Sequence, residues 1–341
     1  MSHSARLFRA ASAITAALLI PIGVCAQDTS KRTTLTVEEA KEIAAGNPKA
    51  SYELYGTFIS FDALTSLPPE VAEVLVKIER PLSFNALTEL SPETAAILAQ
   101  HPAAAKSGAS AAKTGAPDLR LNGIKVLSDR AAEALSAHQG KLLLHSLEKL
   151  DSLALAQKFG REPGELRLGL KELTPAIAAE LAKNRGEETA RSHSGGGRRD
   201  GAASILRLDH LESLTSEAAE ALAAHEGVLV LNGLTTLQPE VAAFLAKRVG
   251  NRKNGSKGTL VLNGLARISP ESAAALAAFP GELVLKALTE LSSETAAALA
   301  KHPGRLHLTG LARLSEAART VLSSHRNLLL PRGLPVEGGI P

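Results

Sequence analysis

"LVLNGL" stands at Leu229–Leu234 and again, letter for letter, at Leu260–Leu265. Two identical hexapeptides in one chain make internal periodicity the first thing to look for. Segments with the same L-x-L opening begin at Ile59, Leu82, Leu119, Leu142, Leu166 and Leu206, then at Leu229, Leu260, Leu283, Leu306 and Leu328. A step of 23 residues recurs, as from Leu119 to Leu142 and from Leu283 to Leu306. The shared pattern is L-x-L-N-G-L-x-x-L-S-x-E-x-A-x-x-L-A-x-H-x-G-x. The copy at Leu166 lacks one residue before Leu170, and the copy at Leu142 runs one residue long.

Each unit divides into a strand and a short helix. L-x-L has the two-residue alternation of a strand with one buried face. Leu234 and Leu237 turn inward as the chain leaves that strand. Ser91, Ser269 and Thr174 are N-cap types, and Pro92, Pro270 and Pro175 suit the first helical position. Glu93, Glu240, Glu271 and Glu294 place negative charge where the helix dipole favours it. Ala273–Leu276 and Ala296–Leu299 make a short apolar face, and Gly140, Gly227, Gly281 and Gly304 are read as ending the helices. One unit alone has nothing to bury its stripe against. Stacked copies bury it continuously, and the abundant alanine lets helix and sheet sit close.

On these residues the chain resembles the leucine-rich repeat superfamily, whose units run about 20–29 residues. The spacing L-x-L, an inward residue, another Leu, then Ser/Thr-x-Glu and a helix is similar to its helix-bearing bacterial types. The slot that usually holds Asn or Cys there holds Leu here, at Leu87, Leu147, Leu211, Leu234, Leu265, Leu288 and Leu311. The familiar asparagine ladder is therefore expected to be absent. The resemblance implies an α/β solenoid with a parallel β-sheet on the concave side and short α-helices on the convex side. It implies a recognition surface, not a chemistry.

The first residues read as an export signal. Arg6 and Arg9 are followed by an uncharged stretch, Ala10–Gln27, which carries Val24-Cys25-Ala26, a small-residue cleavage pattern. Cleavage after Ala26 gives a secreted or periplasmic chain, and the alternative is a lipoprotein anchored at Cys25. Cys25 is the only cysteine, so the cleaved chain has no disulfide and no thiol chemistry. Residues 1–26 are thus a signal, 27–58 an N-terminal helical cap, 59–334 the solenoid of about 10–11 coils, and 335–341 a tail. Removing Arg6 and Arg9 leaves 36 basic against 35 acidic residues. Near-neutrality argues against nucleic acid as partner. With no Trp, two Tyr and seven Phe, stacking platforms for bases are excluded too. No membrane span is expected in the mature chain, which reads as a monomer.

Three inserts break the period, near 103–118, 185–204 and 250–258, each between a helix and the next strand, so all fall on one flank. Arg198, Arg199, Arg252, Lys253 and Lys257, with Arg248 beside them, read as a basic fringe for an anionic partner such as an envelope polymer or lipid headgroups. Tolerated insertions with solvated charge explain the same residues.

Candidate chemistry is thin. Ser110-Ala-Ala-Lys113 and Lys113-Thr-Gly115 share one lysine in a low-complexity loop, unlike the separated motifs of penicillin-recognising enzymes. Gly195–Gly197 has no strand before it and no helix after it. His101, His138, His225, His302 and His325 share one repeat position at the helix end, where imidazole can satisfy terminal carbonyls and, protonated, meet the dipole. No recurring carboxylate or Cys sits beside them to make a metal site, and no cofactor is expected. That leaves the middle residue of each L-x-L, read as facing out from the concave sheet. Arg120, Arg167 and Arg207 come first, then Val230, Val261, Val284 and His307. Aligned valines flanked by arginines suit a partner with an apolar and an acidic part, although valine also simply favours strands. The reading is a non-catalytic extracytoplasmic recognition module binding a protein or envelope polymer. A self-assembling envelope scaffold is the alternative, and an enzyme comes last.

Overall fold

The computed structural model describes residues 33–45, 59–78, 80–101, 118–185, 204–248, 257–333 and the backbone of 336–337. Strands β1 (Ile59–Ser60), β2 (Leu82–Ser83), β3 (Leu119–Arg120) and β4 (Leu142–Leu143) form one parallel ladder in chain order. A second ladder runs through β5 (Glu165–Arg167), β6 (Ile205–Arg207), β7 (Val228–Val230), β8 (Thr259–Val261) and β9 (Glu282–Val284). It continues through β10 (Leu306–His307), with β12 (Leu328–Leu329) at its end. The duplicated hexapeptides lie side by side, with Leu229 opposite Leu260 and Val230 opposite Val261. The repetition of sequence is therefore a repetition of neighbours: each leucine row continues the row before it.

The helices line the opposite side. They are α1 (Val37–Ala45), α2 (Pro69–Leu75), α3 (Pro92–Ala99), α4 (Asp129–Ser136), α5 (Leu153–Arg161) and α6 (Pro175–Leu181). They go on as α7 (Ser216–Leu222), α8 (Pro239–Ala246), α9 (Pro270–Leu276), α10 (Ser293–Leu299) and α11 (Glu316–Leu322). At 7–9 residues each is too short to persist alone. Caps and packing hold them. Ser91, Ser269 and Thr174 accept from the N–H three residues on. Behind them Leu98, Leu135, Leu222, Leu276 and Leu299 are fully buried in one core that runs the length of the stack. The result is a leucine-rich-repeat-like α/β solenoid. Two residues of the segment read as a tail, Val336–Glu337, form β13 and pair in parallel with β11 (Leu314–Ser315). Residues 1–32, holding the expected signal, Cys25 and the Ala26 cleavage point, lie outside the described residues, as do most residues of the three inserts.

The glycines do different work from the one expected. The helices end in right-handed caps such as Ala277 and Ala300, not in left-handed glycine. Gly227, Gly281 and Gly304 sit two residues ahead of the strand leucine instead. A Cβ at any of them would collide with a backbone carbonyl of the preceding coil, at Ser204, Gly258 and Gly281 respectively. Close coil-to-coil approach, not φ, selects glycine here. The carbonyl of Gly281 also receives His302 Nε2 at 3.1 Å, so it cannot shift freely. Gly304→Ala should therefore cost about 1–3 kcal/mol, read as a lower urea midpoint at an unchanged m-value.

An asparagine ladder exists after all, three residues after the first strand leucine and two before the inward leucine slot. Asn263 N–H donates to Asn232 Oδ1, and Lys286 N–H to Asn263 Oδ1, both at 3.1 Å. Asn85 N–H likewise donates to Asp62 Oδ1 (2.9 Å) and His145 N–H to Asn122 Oδ1 (3.2 Å). Each side chain thus takes the backbone donor that the turn leaves unpaired in the next coil.

The sheet is split between β4 and β5, although the core is not. Coil four carries the extra residue and then Pro163, which has no N–H to give, and Gly164 at φ 90°. This segment turns away and pairs forward: Gly164 N–H donates to Arg185 O at 2.8 Å.

Candidate recognition surface

Three columns of side chains make the concave face: the middle residue of each L-x-L and the residues two before and two after it. Register puts Arg120 opposite Leu143, and Arg167, Arg207, Val230, Val261, Val284 and His307 in one row beyond the split.

The expected open valine stripe is not there. Val230 is 3% and Val284 8% exposed, and only Val261 is half-buried. Val230 lies between Arg207 and Val261, and Val284 between Val261 and His307. Side chains on a concave face lean toward one another across strands about 4.8 Å apart, so a short side chain beside a long one is covered. His307 is itself engaged, with Nε2 2.6 Å from Glu282 Oε1, while Thr259 Oγ1 donates to Glu282 Oε2 at 3.2 Å. Thr259 and Glu282 line an open polar groove of about 430 Å³ where β8, β9 and β10 begin, together with Lys257 and Arg305.

Exposed members of these columns lie in two places: Glu165 and Arg167 just past the split, and a group toward the far end that includes Lys286, Arg305, Thr309 and Leu329. Arg167 and Glu165 are 3.7 Å apart, and Glu165 also meets Arg207 Nε at 3.3 Å. Arg207 reaches Asp209 as well, at 3.5 Å. On the other side of the split stand Arg120, Lys141, Leu143 and His145, all half-buried. His145 is held below the usual imidazole range by burial first and then by Arg167, with Arg120 and Lys141 adding to it and Glu165 opposing. Arg120, Lys141 and Arg167 therefore all act on His145, with the acidic Glu165 among them. Asp118 is raised by burial and lowered by Lys141 and Arg120. Lys141, His145 and Glu165 fall outside the sequence reading, which takes only the middle residue of L-x-L. The same alternation that points x outward also points its i±2 neighbours outward.

Of the proposed basic fringe, Arg198, Arg199, Arg252 and Lys253 lie outside the described residues, and Lys257 is exposed at the start of β8. Arg248 belongs elsewhere. It is 1% exposed, with its guanidinium donating to the carbonyls of Thr259 (3.0 Å), His225 (3.2 Å) and Gly227 (2.7 Å).

Arg248 marks a buried column. The residue three past the last inward helix leucine, or Phe159 in coil four, is Ile78, His101, His138, Glu162, Asn184, His225, Arg248, Phe279, His302 and His325 in successive coils. The described chain breaks off soon after His101, Asn184 and Arg248, so all three inserts leave from this flank. The histidines bond to the coil behind, not to their own helix ends: His101 Nε2 donates to Ile78 O (3.0 Å) and His302 Nε2 to Gly281 O (3.1 Å). Their Nδ1 atoms are buried without a partner among the described residues. Both rings are pushed below the usual imidazole range, by burial first, and so are neutral, not dipole-pairing cations. Ser204 Oγ and His225 Nε2 are 3.3 Å apart, but both are sealed in this column and the hydroxyl donates to Asn184, so the contact is structural. Among the described residues no group of three or more His, Cys, Asp or Glu is gathered to hold a metal ion. No described helix is long and apolar enough to cross a membrane.

No protein-family model matches the chain, and no curated protein matches it. Solved structures of similar shape include one from the yeast Rad7–Elc1 complex, 15% identical over 87% of this chain and 76% of that one, with a TM-score of 0.43. A leucine-rich-repeat protein of Leptospira interrogans is similar at 15% identity over 91% and 84%, with a TM-score of 0.39. A chain of the Drosophila Toll–Spätzle complex is similar at 13% identity over 84% of this chain and 44% of that one, with a TM-score of 0.36.

Proposed function

We propose that the protein is a non-catalytic recognition module, exported from the cytoplasm, that receives an acidic segment of another protein on the concave face of its third to sixth coils. The observation that carries this is the register that sets Arg120 opposite Leu143, between Lys141 and His145, with Arg167 exposed in the next coil. Extended concave surfaces are what solenoids of this class offer. The basic start and apolar stretch ahead of Ala26 support export. A cation cluster on a recessed face attracts acid more strongly than the same charges on a convex one, because field lines are focused there.

The test is retention on immobilised polyglutamate at low salt, with heparin as the polysaccharide comparison. Wild type should be held by polyglutamate and released as salt screens the charges. Arg120→Glu with Arg167→Glu should weaken retention about tenfold or more, while Arg130→Glu with Arg319→Glu, on the helical side, should not. Equal loss in both pairs, or none in the first, defeats the assignment. Preference for heparin moves it to an anionic polymer.

A further inference from the structure

We propose that the split between β4 and β5 is a hinge across the concave face, latched by the buried pair Lys158–Glu162.

Glu162 is the residue of the buried column in the coil where the sheet parts. It caps α5 through its backbone N–H, which donates to the carbonyls of Lys158 and Phe159. Its carboxylate points back toward β4. There Oε1 accepts from Leu142 N–H at 3.4 Å and lies 2.7 Å from Lys158 Nζ. In the intact ladder the equivalent donors, Leu82 N–H and Leu119 N–H, bond to carbonyls just ahead of the next strand. A side chain has therefore replaced a strand at this one place. Lys158 Nζ completes the staple by donating to Gly140 O at 2.8 Å, and both side chains are nearly closed off, at 9% and 13% exposure. Among the described residues Lys141 also acts on Glu162, more weakly than Lys158.

The opposite side of the same coils is continuous. Glu148 N–H donates to Lys125 O (2.8 Å) and Lys171 N–H to Glu148 O (3.1 Å). Glu148 also bridges Lys125 and Lys171 at 3.5 and 2.7 Å. Helices α4, α5 and α6 pack in sequence over an unbroken core. One side is thus bonded through, whereas on the other the described strand-to-strand bonds stop at β4 and are replaced by Glu162 and Lys158 on Leu142 and Gly140 and by the close approach of Gly169 to the His145 carbonyl, which is the construction of a leaf hinge. Bending about the helices opens or closes the distance between the Arg120–Lys141 half of the face and the Glu165–Arg167 half. Hinge positions in general are short segments that absorb backbone change between rigid bodies, and Pro163–Gly164 is such a segment. The hinge stands whether or not an acidic partner binds over it.

The test uses the full chain with Cys25→Ser and spin labels at two cysteine pairs on exposed helix positions. Glu93→Cys with Glu271→Cys spans the split, and Glu217→Cys with Glu294→Cys lies wholly beyond it. Adding Glu162→Gln and Lys158→Met should widen the spanning distance distribution about twofold and leave the other pair unchanged. Widening of both pairs alike, or of neither, overturns the hinge. In the unsubstituted chain, the Leu144 amide should exchange about tenfold faster than that of Leu121, which is bonded to Leu143 O at 2.9 Å. Equal protection of the two amides overturns it as well.

Discussion

Arg248→Ala is expected to lower the stability of the fold by about 4 kcal/mol, the most of any single change considered. Two losses add. The guanidinium is among the largest fully buried side chains, so its removal leaves a cavity. It also leaves the carbonyls of His225, Gly227 and Thr259 without their donor. These three carbonyls belong to two successive coils. Thr259 lies beyond the insert that follows Arg248, so the one side chain fastens the chain again after the excursion. Burial pulls the guanidinium down to about 9, which still leaves it charged at neutral pH. The desolvation it carries is offset by the three acceptors and by the Phe279 ring 5.9 Å away. Relief of that desolvation makes the loss smaller than the sum of three hydrogen bonds and a cavity. Arg248→Lys keeps the charge but has no planar fork to span three carbonyls, and it should recover less than half of the loss. Urea unfolding of the three proteins measures both effects. A lysine variant as stable as wild type would mean that charge alone, not the fork, holds the insert's two ends.

Arg248 also shows where a linear reading stops. Beside Arg252 and Lys253 it looks like one more loop cation. Only the count from Leu245, three residues back, places it in the column that His225 occupies one coil earlier. The strand leucines, the helix caps and the coil period were legible because each depends on residues within one unit. What depended on the neighbouring coil was not. Val230 and Val284 alternate as outward residues should, yet they are covered, because the residues in register with them are 23 to 31 positions away. The asparagine ladder was missed for a similar reason. The Asn of L-N-G-L was visible in several copies, but its partner is a backbone N–H of the next coil, which no residue letter records. The split in the sheet left a trace, the extra residue before Leu166 with Pro163 and Gly164. Its consequence required knowing that Glu162 would turn back to fill the vacated place. At the recognition surface the row of arginines is legible, while Lys141 and His145, two positions before and after Leu143, come into place only once register sets Leu143 opposite Arg120.

Acidification should loosen the protein well above the pH at which its carboxylates titrate, and His225 sets the scale. Its ring is fully buried. Ser204 has one hydroxyl proton, which goes to Asn184, so His225 Nε2 must donate to Ser204 Oγ. That fixes the neutral tautomer and leaves Nδ1 buried without a partner among the described residues. A second proton would have to go on Nδ1, next to the Arg248 cation. Burial first and Arg248 second therefore lower this imidazole to about 4. The unfolded chain takes up the proton near 6.5 and the folded one only near 4, so between those values the unfolded state binds more protons. Stability is complete above about pH 6.5 and falls as pH drops toward 4, by roughly 3 kcal/mol from this group alone. His101, His145 and His302 act in the same direction. His302 faces His325 in a stack at 6.1 Å, and that neighbour adds to the lowering of His302. Glu162 and Asp118, raised by burial, act the other way, since the fold holds their protons more tightly than the unfolded chain does. Net loss on acidification requires the histidines to outweigh them, as four imidazoles against two carboxyls with cations nearby should. Urea midpoints measured from pH 7.5 to 4.5 should fall steadily below about 6.5. His225→Asn, which copies Asn184 of the coil before, should flatten that fall while costing some stability at pH 7.5. A variant that loses stability equally at both ends of the range would place the acid sensitivity outside this column.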